Sequence, residues 1–146
     1  MLLYLVKFSR PNIANAVREL SKVLDEATPA AYKEMMRIIK YVLDTKNLAL
    51  KVKPIQDGEE QPWRMLAFSD SDYAGDPESR VSISGWAIYF CGVLVAWQSK
   101  GQKSITLSSS EAEYVALSEA AKNIKFIYMI LESMGIKVEI PIIVRV

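Results

Sequence analysis

The first third of the chain carries apolar residues at a helical spacing. They recur at intervals of three and four over 11–26, and a second such stripe covers 32–43. Pro11 and Pro29 stand where a first helical position is expected, and Thr28 is a candidate N-cap for the second helix. The pattern predicts two amphipathic helices joined by a short turn, which should pack as a helical hairpin.

A change of pattern marks the end of this part. Apolar and other residues alternate over 48–52, which predicts a half-exposed strand. Residues 54–63 are mostly polar, with two prolines, one glycine and three acidic side chains. We therefore predict a helical domain over 1–53, a linker over 54–63, and a second domain over 64–146.

The second domain begins with a period of two and ends with a period of 3.6. Cys91 and Gly92 separate two apolar runs in the manner of a tight hairpin turn, and Gly135 follows a long helical pattern as a C′ residue. In chain order, the predicted elements are strands over 64–69, 86–90 and 93–97, a helix over 110–134, and a buried strand over 140–146.

Two glutamates open the long helix, and helical geometry assigns them different roles. Ser108 stands three residues before Glu111, the spacing of a capping box, so Glu111 has a structural role. Steps of three and four from Glu113 reach an apolar stripe, so we expect Glu113 to point toward the sheet. That stripe consists of Leu117, Ala120, Ala121, Ile124, Ile127, Tyr128 and Leu131.

Asp70, at the end of the first predicted strand, is the second candidate ligand. If it meets Glu113, the two carboxylates repel each other, and a hard divalent ion such as Mg²⁺ relieves that repulsion. The alternative is that Glu113 keeps its carboxylate in water, or pairs with Lys100 or Lys103. Asp72 and Asp76 lie in a segment with the composition of a loop, where each fits a turn or a cap better than a metal site.

Composition narrows the classes of function. The 146 residues hold 18 basic and 17 acidic side chains, so any nucleic-acid contact has to come from local clusters. The sequence has no histidine, which excludes histidine-based zinc sites and Ser-His or Cys-His nucleophiles. A single cysteine cannot form an internal disulfide, and the apolar start is too short to span a membrane. We expect an intracellular protein of the cytoplasm, a virus-like particle or the nucleus.

Six ordered motifs carry a family resemblance. They are SRPNI (9–13), IIKYVLDTK (38–46), FSDSDYAGD (68–76), RVSISG (80–85), WQSK (97–100) and SSSEAEY (108–114). With these motifs, the sequence from 64 onward closely resembles the ribonuclease H domain of copia-type LTR-retrotransposon polyproteins, and the sequence before it resembles the end of their reverse transcriptase.

The resemblance implies an α/β fold: a truncated ribonuclease H-like mixed sheet, with strands 1-2-3 antiparallel, a long helix, and strand 4 parallel to strand 1. It also implies Mg²⁺-dependent cleavage of the RNA strand of an RNA–DNA hybrid by four carboxylates. Asp70 and Glu113 match the first two, both catalytic and metal-binding. The third and fourth are expected beyond Val146, so we expect at most one weakly held Mg²⁺ here instead of the family's two.

Partners follow from the same resemblance. They are an RNA–DNA hybrid and the remainder of a retroelement polyprotein. The sheet edge around Ile140, Ile142, Ile143 and Val144 is a candidate for self-association. The candidate substrate-binding residues are Lys100, Gln102, Lys103, Arg80 and Ser84.

Two other functions compete with this reading. The first is a non-catalytic role, in which a decayed or domesticated retroelement segment binds nucleic acid or another protein. The second is a phosphotransferase with an aspartyl nucleophile, suggested by Asp70-Ser71-Asp72 directly after a strand. That fold requires helices between parallel strands, whereas the segment after Asp76 predicts further strands.

Overall fold

The computed structural model describes residues 1–23, 28–52, 63–76 and 79–146. They form two compact units, Met1–Lys51 and Val52–Val146. Most of the predicted linker, 54–62, lies outside the described residues, as does the predicted end of the first amphipathic helix after Val23. Within the described ranges, no helix has both the length and the apolar character needed to cross a membrane.

The first unit is helical. Its elements are α1 (Leu2–Phe8), a short 3-10 helix (Pro11–Ile13), α2 (Ala14–Lys22) and α3 (Pro29–Asp44). Thr28 caps α3 as predicted, because its side chain accepts a hydrogen bond from Ala31 N. Ile13, Val17 and Ile38 form the core where α2 and α3 face each other.

The apolar start forms α1, for which no element was predicted. The strand predicted over 48–52 is wrong. Residues 48–52 form no strand, and Leu48 and Val52 are 53% and 75% exposed. An extended segment needs a hydrogen-bonded neighbour to become a strand, and the alternation of side chains cannot supply one.

The second unit is a four-stranded mixed sheet with one long helix. The strands lie in the order β3-β2-β1-β4. β1 pairs antiparallel with β2 and parallel with β4, and β2 pairs antiparallel with β3, which confirms the predicted fold. The elements are β1 (Met65–Asp72), β2 (Ile83–Phe90), β3 (Val93–Gly101), α4 (Ser109–Ser133) and β4 (Ile143–Arg145).

Local sequence explains the ends of these elements. Cys91 and Gly92 both have positive φ, 48° and 77°, which is the conformation of a type I′ hairpin turn. After α4, Gly135 adopts a φ of 79° and donates to Glu132 O, while Ile136 N donates to Leu131 O. These two hydrogen bonds form a Schellman motif, and the side chains of Leu131 and Ile136 pack in the core.

The two faces of the sheet have opposite characters. Met65, Ala67 and Ser69 alternate along β1 and are buried on the face that α4 covers. Trp86 and Ile88 of β2 join this core, together with Ala120, Ile124 and Leu131 of α4. By strand alternation, Leu66, Phe68 and Asp70 belong to the other face, which we call the open face.

β4 forms one edge of the sheet. The buried strand predicted over 140–146 is wrong, because β4 covers only three residues at the edge. Ile140 and Ile143 are exposed, as expected for an apolar edge, whereas Ile142 and Val144 pack against the core. Self-association through this edge therefore rests on fewer exposed side chains than the sequence suggested, and it stays a prediction.

Candidate functional site

Asp70 lies near the carboxyl end of β1. It pairs with Gly85 of β2, and its side chain is exposed. Two residues earlier on the same face, the exposed ring of Phe68 contacts Tyr89 edge-on, with 5.8 Å between ring centroids, and the Arg145 guanidinium lies 5.8 Å from the Phe68 centroid. The carboxylate therefore projects from the open face into solvent.

The other two aspartates lie at the end of β1 and just beyond it: Asp72 is the last residue of the strand and not part of a loop as predicted, whereas Asp76 lies in the loop that follows. Asp76 Oδ1 accepts from Ser79 N at 2.9 Å, and Asp76 O accepts from Arg80 N, so Asp76 forms a turn, as its loop composition predicted. Asp72 lies against Gly75, where an added Cβ atom would collide with the Asp72 carboxylate. A larger residue at position 75 would therefore require the side chains of Asp72 and Ile83 to move.

The start of α4 is capped as predicted. Ser108 Oγ accepts from Glu111 N at 3.1 Å, and Glu111 Oε2 accepts from Leu107 N at 2.6 Å. This is a close variant of the capping box, in which the glutamate reaches the amide one residue before the N-cap. Glu111 therefore serves the helix end.

The predicted inward direction of Glu113 is wrong. Glu113 is exposed, and the fully buried positions of the first turns are Ala112, Ala116 and Ala120. The sheet-facing stripe thus begins one residue earlier than expected, because alanines allow the helix backbone to lie close to the sheet. Farther along, Ile124 and Leu131 are buried as predicted, whereas Ala121 is exposed.

The structure places Asp70 and Glu113 at the same end of the sheet. Ser71, next to Asp70, pairs with Ser84 of β2. The side chain of Gln102 donates hydrogen bonds both to Ser84 Oγ and to the carbonyl of Ala112, which precedes Glu113. Asp70 projects from the open face, while Glu113 leaves the first turn of the helix that covers the opposite face. Among the described residues, no three acidic or cysteine side chains gather closely enough to hold a metal ion.

Burial separates the five candidate substrate-binding residues. Lys100, Lys103 and Arg80 are exposed near this end of the sheet, as contact with a nucleic acid requires. Gln102 and Ser84 are only 6% and 1% exposed, so the prediction that their side chains contact the substrate directly is wrong. They hydrogen-bond inside the protein, where Gln102, directly after β3, contacts Ser84 of β2 and Ala112 of α4.

Sequence reasoning missed a buried polar layer beneath the first turn of α4. Ser82 Oγ and Thr106 Oγ1 lie 2.7 Å apart, and Ser82 Oγ also accepts from Ala74 N. Gln102 Nε2 donates to Ser84 Oγ and to Ala112 O. The signal in the sequence was the alternation of serines at 69 and 71 and at 82 and 84, which places polar side chains on the helix-facing side of two paired strands.

Comparisons with known proteins show that this sequence is similar to an effector protein and to transposon polyproteins. The chain is 36% identical over 121 residues to the secreted RxLR effector protein 161 of Plasmopara viticola, covering 83% of this chain and 82% of that protein. It is 31% identical over 134 residues to the retrovirus-related Pol polyprotein from transposon RE1 of Arabidopsis thaliana. It is 32% identical over 135 residues to that from transposon TNT 1-94 of Nicotiana tabacum.

The two polyproteins are far longer than the matched region. Each alignment covers 92% of this chain, but only 9% and 10% of the respective polyprotein. No family model matches the chain, and no solved structure matches it. The similarity to the polyproteins runs through both units of the structure, and the chain belongs to the family of copia-type, retrovirus-related Pol polyproteins of transposons.

Proposed function

We propose that the second unit is a ribonuclease H-like segment that supplies Asp70 and Glu113 to a Mg²⁺ site for cleaving the RNA strand of an RNA–DNA hybrid. The observation that carries the proposal is that β1 and the first turn of α4 place the two carboxylates at one end of a mixed sheet, Asp70 on its open face and Glu113 on the helix that covers the other face. The motif resemblance and the transposon relatives support the same assignment.

The two residues suit a hard divalent cation. Both are carboxylates, both are exposed, and neither has a salt-bridge partner among the described contacts. Mg²⁺ is typically bound by one or two carboxylates, with water and substrate phosphate completing its shell. In a two-metal site that includes Asp70 and Glu113, one ion would activate the attacking water and the other would stabilise the leaving oxygen.

Charge limits what this chain does alone. Two divalent ions about 4 Å apart repel by roughly 17 kcal/mol at an effective dielectric of about 20. Asp70 and Glu113 contribute only two negative charges to offset that repulsion. We therefore expect the 146-residue chain to bind one ion weakly and to need further carboxylates before it cleaves a hybrid.

Metal binding is the first test. In a ¹⁵N-labelled chain, Mn²⁺ should broaden the amide signals of residues 70 and 113 at the same ion concentration. Asp70→Asn or Glu113→Gln should each weaken this binding by at least about tenfold, since even the loss of an outer-shell partner commonly costs that much. Glu132→Gln, at the exposed far end of the same helix, is the matched control.

Separate behaviour of the two residues would contradict a shared ion. If residues 70 and 113 broaden at different Mn²⁺ concentrations, or if either substitution leaves the other residue's response intact, the proposed site is wrong. In a parallel assay, the wild-type chain and Asp70→Asn should both leave a labelled RNA–DNA hybrid uncut in Mg²⁺. Cleavage by the wild type would contradict the need for further carboxylates.

The exposed cations give a second test. Lys100 and Lys103 lie at and just beyond the end of β3, where their ammonium groups can contact phosphates. The double substitution Lys100→Ala/Lys103→Ala should weaken hybrid binding and reduce the slope of log affinity against log salt by about one unit per lysine. Fluorescence anisotropy with a labelled hybrid measures both quantities.

A matched pair of lysines controls for net charge. Lys122 and Lys125 are exposed on α4, and their double substitution by alanine removes the same total charge. An equal loss of affinity in both double variants would show that only net charge matters, and would remove Lys100 and Lys103 from the proposed interface.

A second candidate function is a non-catalytic module that binds nucleic acid. It is favoured by the finding that the described residues hold no cluster of three metal-binding side chains. Fluorescence anisotropy with and without Mg²⁺ separates the two functions, because a purely binding module should hold the hybrid equally well in both conditions and after Asp70→Asn.

A further inference from the structure

Gln102 is a buried amide that joins three elements. It follows β3 directly, its backbone N donates to Ser82 O at 2.8 Å, and its side chain is buried. Nε2 donates to Ser84 Oγ on β2 at 3.0 Å and to Ala112 O on α4 at 2.9 Å. The side chain therefore links the sheet to the helix one residue before Glu113.

The chemistry of the partners fixes the direction of the amide. A carbonyl oxygen only accepts hydrogen bonds, so the NH₂ end of Gln102 has to face Ala112. In this arrangement, Gln102 Oε1 is buried without a hydrogen-bond partner in the described part of the chain. A buried polar atom left in this way is unfavourable, and the two bonds from Nε2 offset that cost.

The location of this link matters because the buried alanines of α4 have no polar side-chain group that could bond to the sheet. Ala112, Ala116 and Ala120 are fully buried, but a methyl group limits neither sliding nor rotation of a helix as a directional bond does. The Gln102 bond to Ala112 O is directional, and it acts on the first turn of α4. It sets the rotation of the backbone from which Glu113 projects.

We propose that Gln102 is a positioning residue, which fixes the first turn of α4 on the sheet and thereby holds Glu113 in the orientation required at the metal site. The metal part of this proposal rests on the proposed function, whereas the fixing of the helix does not. Gln102 acts through Ala112 and does not touch the metal or the substrate.

Hydrogen exchange tests the structural half. Gln102→Met keeps the length of the side chain and removes the donor, so the amides of residues 113–116 should exchange about tenfold faster. Ser84→Ala leaves the bond to Ala112 intact and should change these rates less than about threefold. Gln98→Leu, which replaces an exposed glutamine on β3, is the control.

Metal affinity tests the functional half. Gln102→Met should weaken Mn²⁺ binding about tenfold, as the loss of an outer-shell partner commonly does, and Gln98→Leu should leave it unchanged. Faster exchange with unchanged Mn²⁺ affinity would overturn the positioning of Glu113. Unchanged exchange in Gln102→Met would overturn the proposal as a whole.

Two further outcomes stay distinguishable. If the wild-type chain binds no Mn²⁺, the proposed function fails, while the exchange rates still decide whether Gln102 fixes the helix. If Gln102→Met does not fold, the wild-type side-chain NH₂ of Gln102 decides. It should exchange slowly because it is buried and bonded, and exchange at the rate of a free amide would overturn the proposal.

Discussion

Ile88→Ala is expected to lower the free energy of unfolding of the second unit by about 2–5 kcal/mol. Ile88 lies in the inner strand β2, is fully buried, and pairs with Ala67 on one side and Ala96 on the other. Its neighbours in the sheet are small, so they cannot fill the space that the lost atoms leave. The substitution should therefore cost both the transfer free energy of the lost methyl and methylene groups and the free energy of the cavity that they leave.

Urea unfolding followed by tryptophan fluorescence measures this effect for the correct unit. The three tryptophans of the chain, Trp63, Trp86 and Trp97, all belong to the second unit. Ile105→Ala removes the same atoms from a side chain that is 60% exposed, and should change the stability by less than about 0.5 kcal/mol. Equal effects of the two substitutions would contradict the core described here.

Ala116→Leu should destabilise the second unit by about 1–3 kcal/mol. Ala116 is fully buried where α4 lies on the sheet, and a leucine there has to push the helix away or adopt a strained rotamer. Because the displaced segment carries Glu113, the same substitution should also weaken Mn²⁺ binding. Urea unfolding and the Mn²⁺ titration together measure the two consequences.

Ala121→Leu is the control that decides the rotation of the helix. Ala121 is exposed on the same helix, so the larger side chain should change the stability by no more than about 0.5 kcal/mol. The hydrophobic pattern alone had placed Ala121 in the core. If Ala121→Leu lowered the free energy of unfolding and Ala116→Leu did not, the helix would have the orientation predicted from the hydrophobic pattern, which would contradict the structure.

The strands and the long helix could be predicted because their signals are local. The Cys91-Gly92 turn and the Gly135 cap depend on backbone conformations that a few residue types favour, and both lie where expected. The orientation of α4 could not be predicted to the residue. Alanine is weakly apolar, so the stripe of Ala112, Ala116 and Ala120 was outweighed by the larger side chains beside it.

Residues whose role depends on distant partners were the hardest to predict. Gln102 and Ser84 look like surface side chains in a polar stretch, and only the meeting of β2, β3 and α4 buries them. The alternation at 48–52 failed for the related reason that a strand requires a partner elsewhere in the chain. Asp70 was chosen for its place at a strand end and Glu113 for an inward direction that is wrong, and the family motifs then matched both; their sharing of an ion stays a prediction.

The pairing of Asp70 with Gly85 has a consequence for folding fidelity. Side chains alternate between faces, so a one-residue slip of β1 against β2 that turned β1 over would bring Asp70 beneath α4. An unpaired carboxylate under a helix is costly, and the same slip would expose Ala67 and Met65. The acid that we assign to metal binding therefore also penalises mispaired sheets.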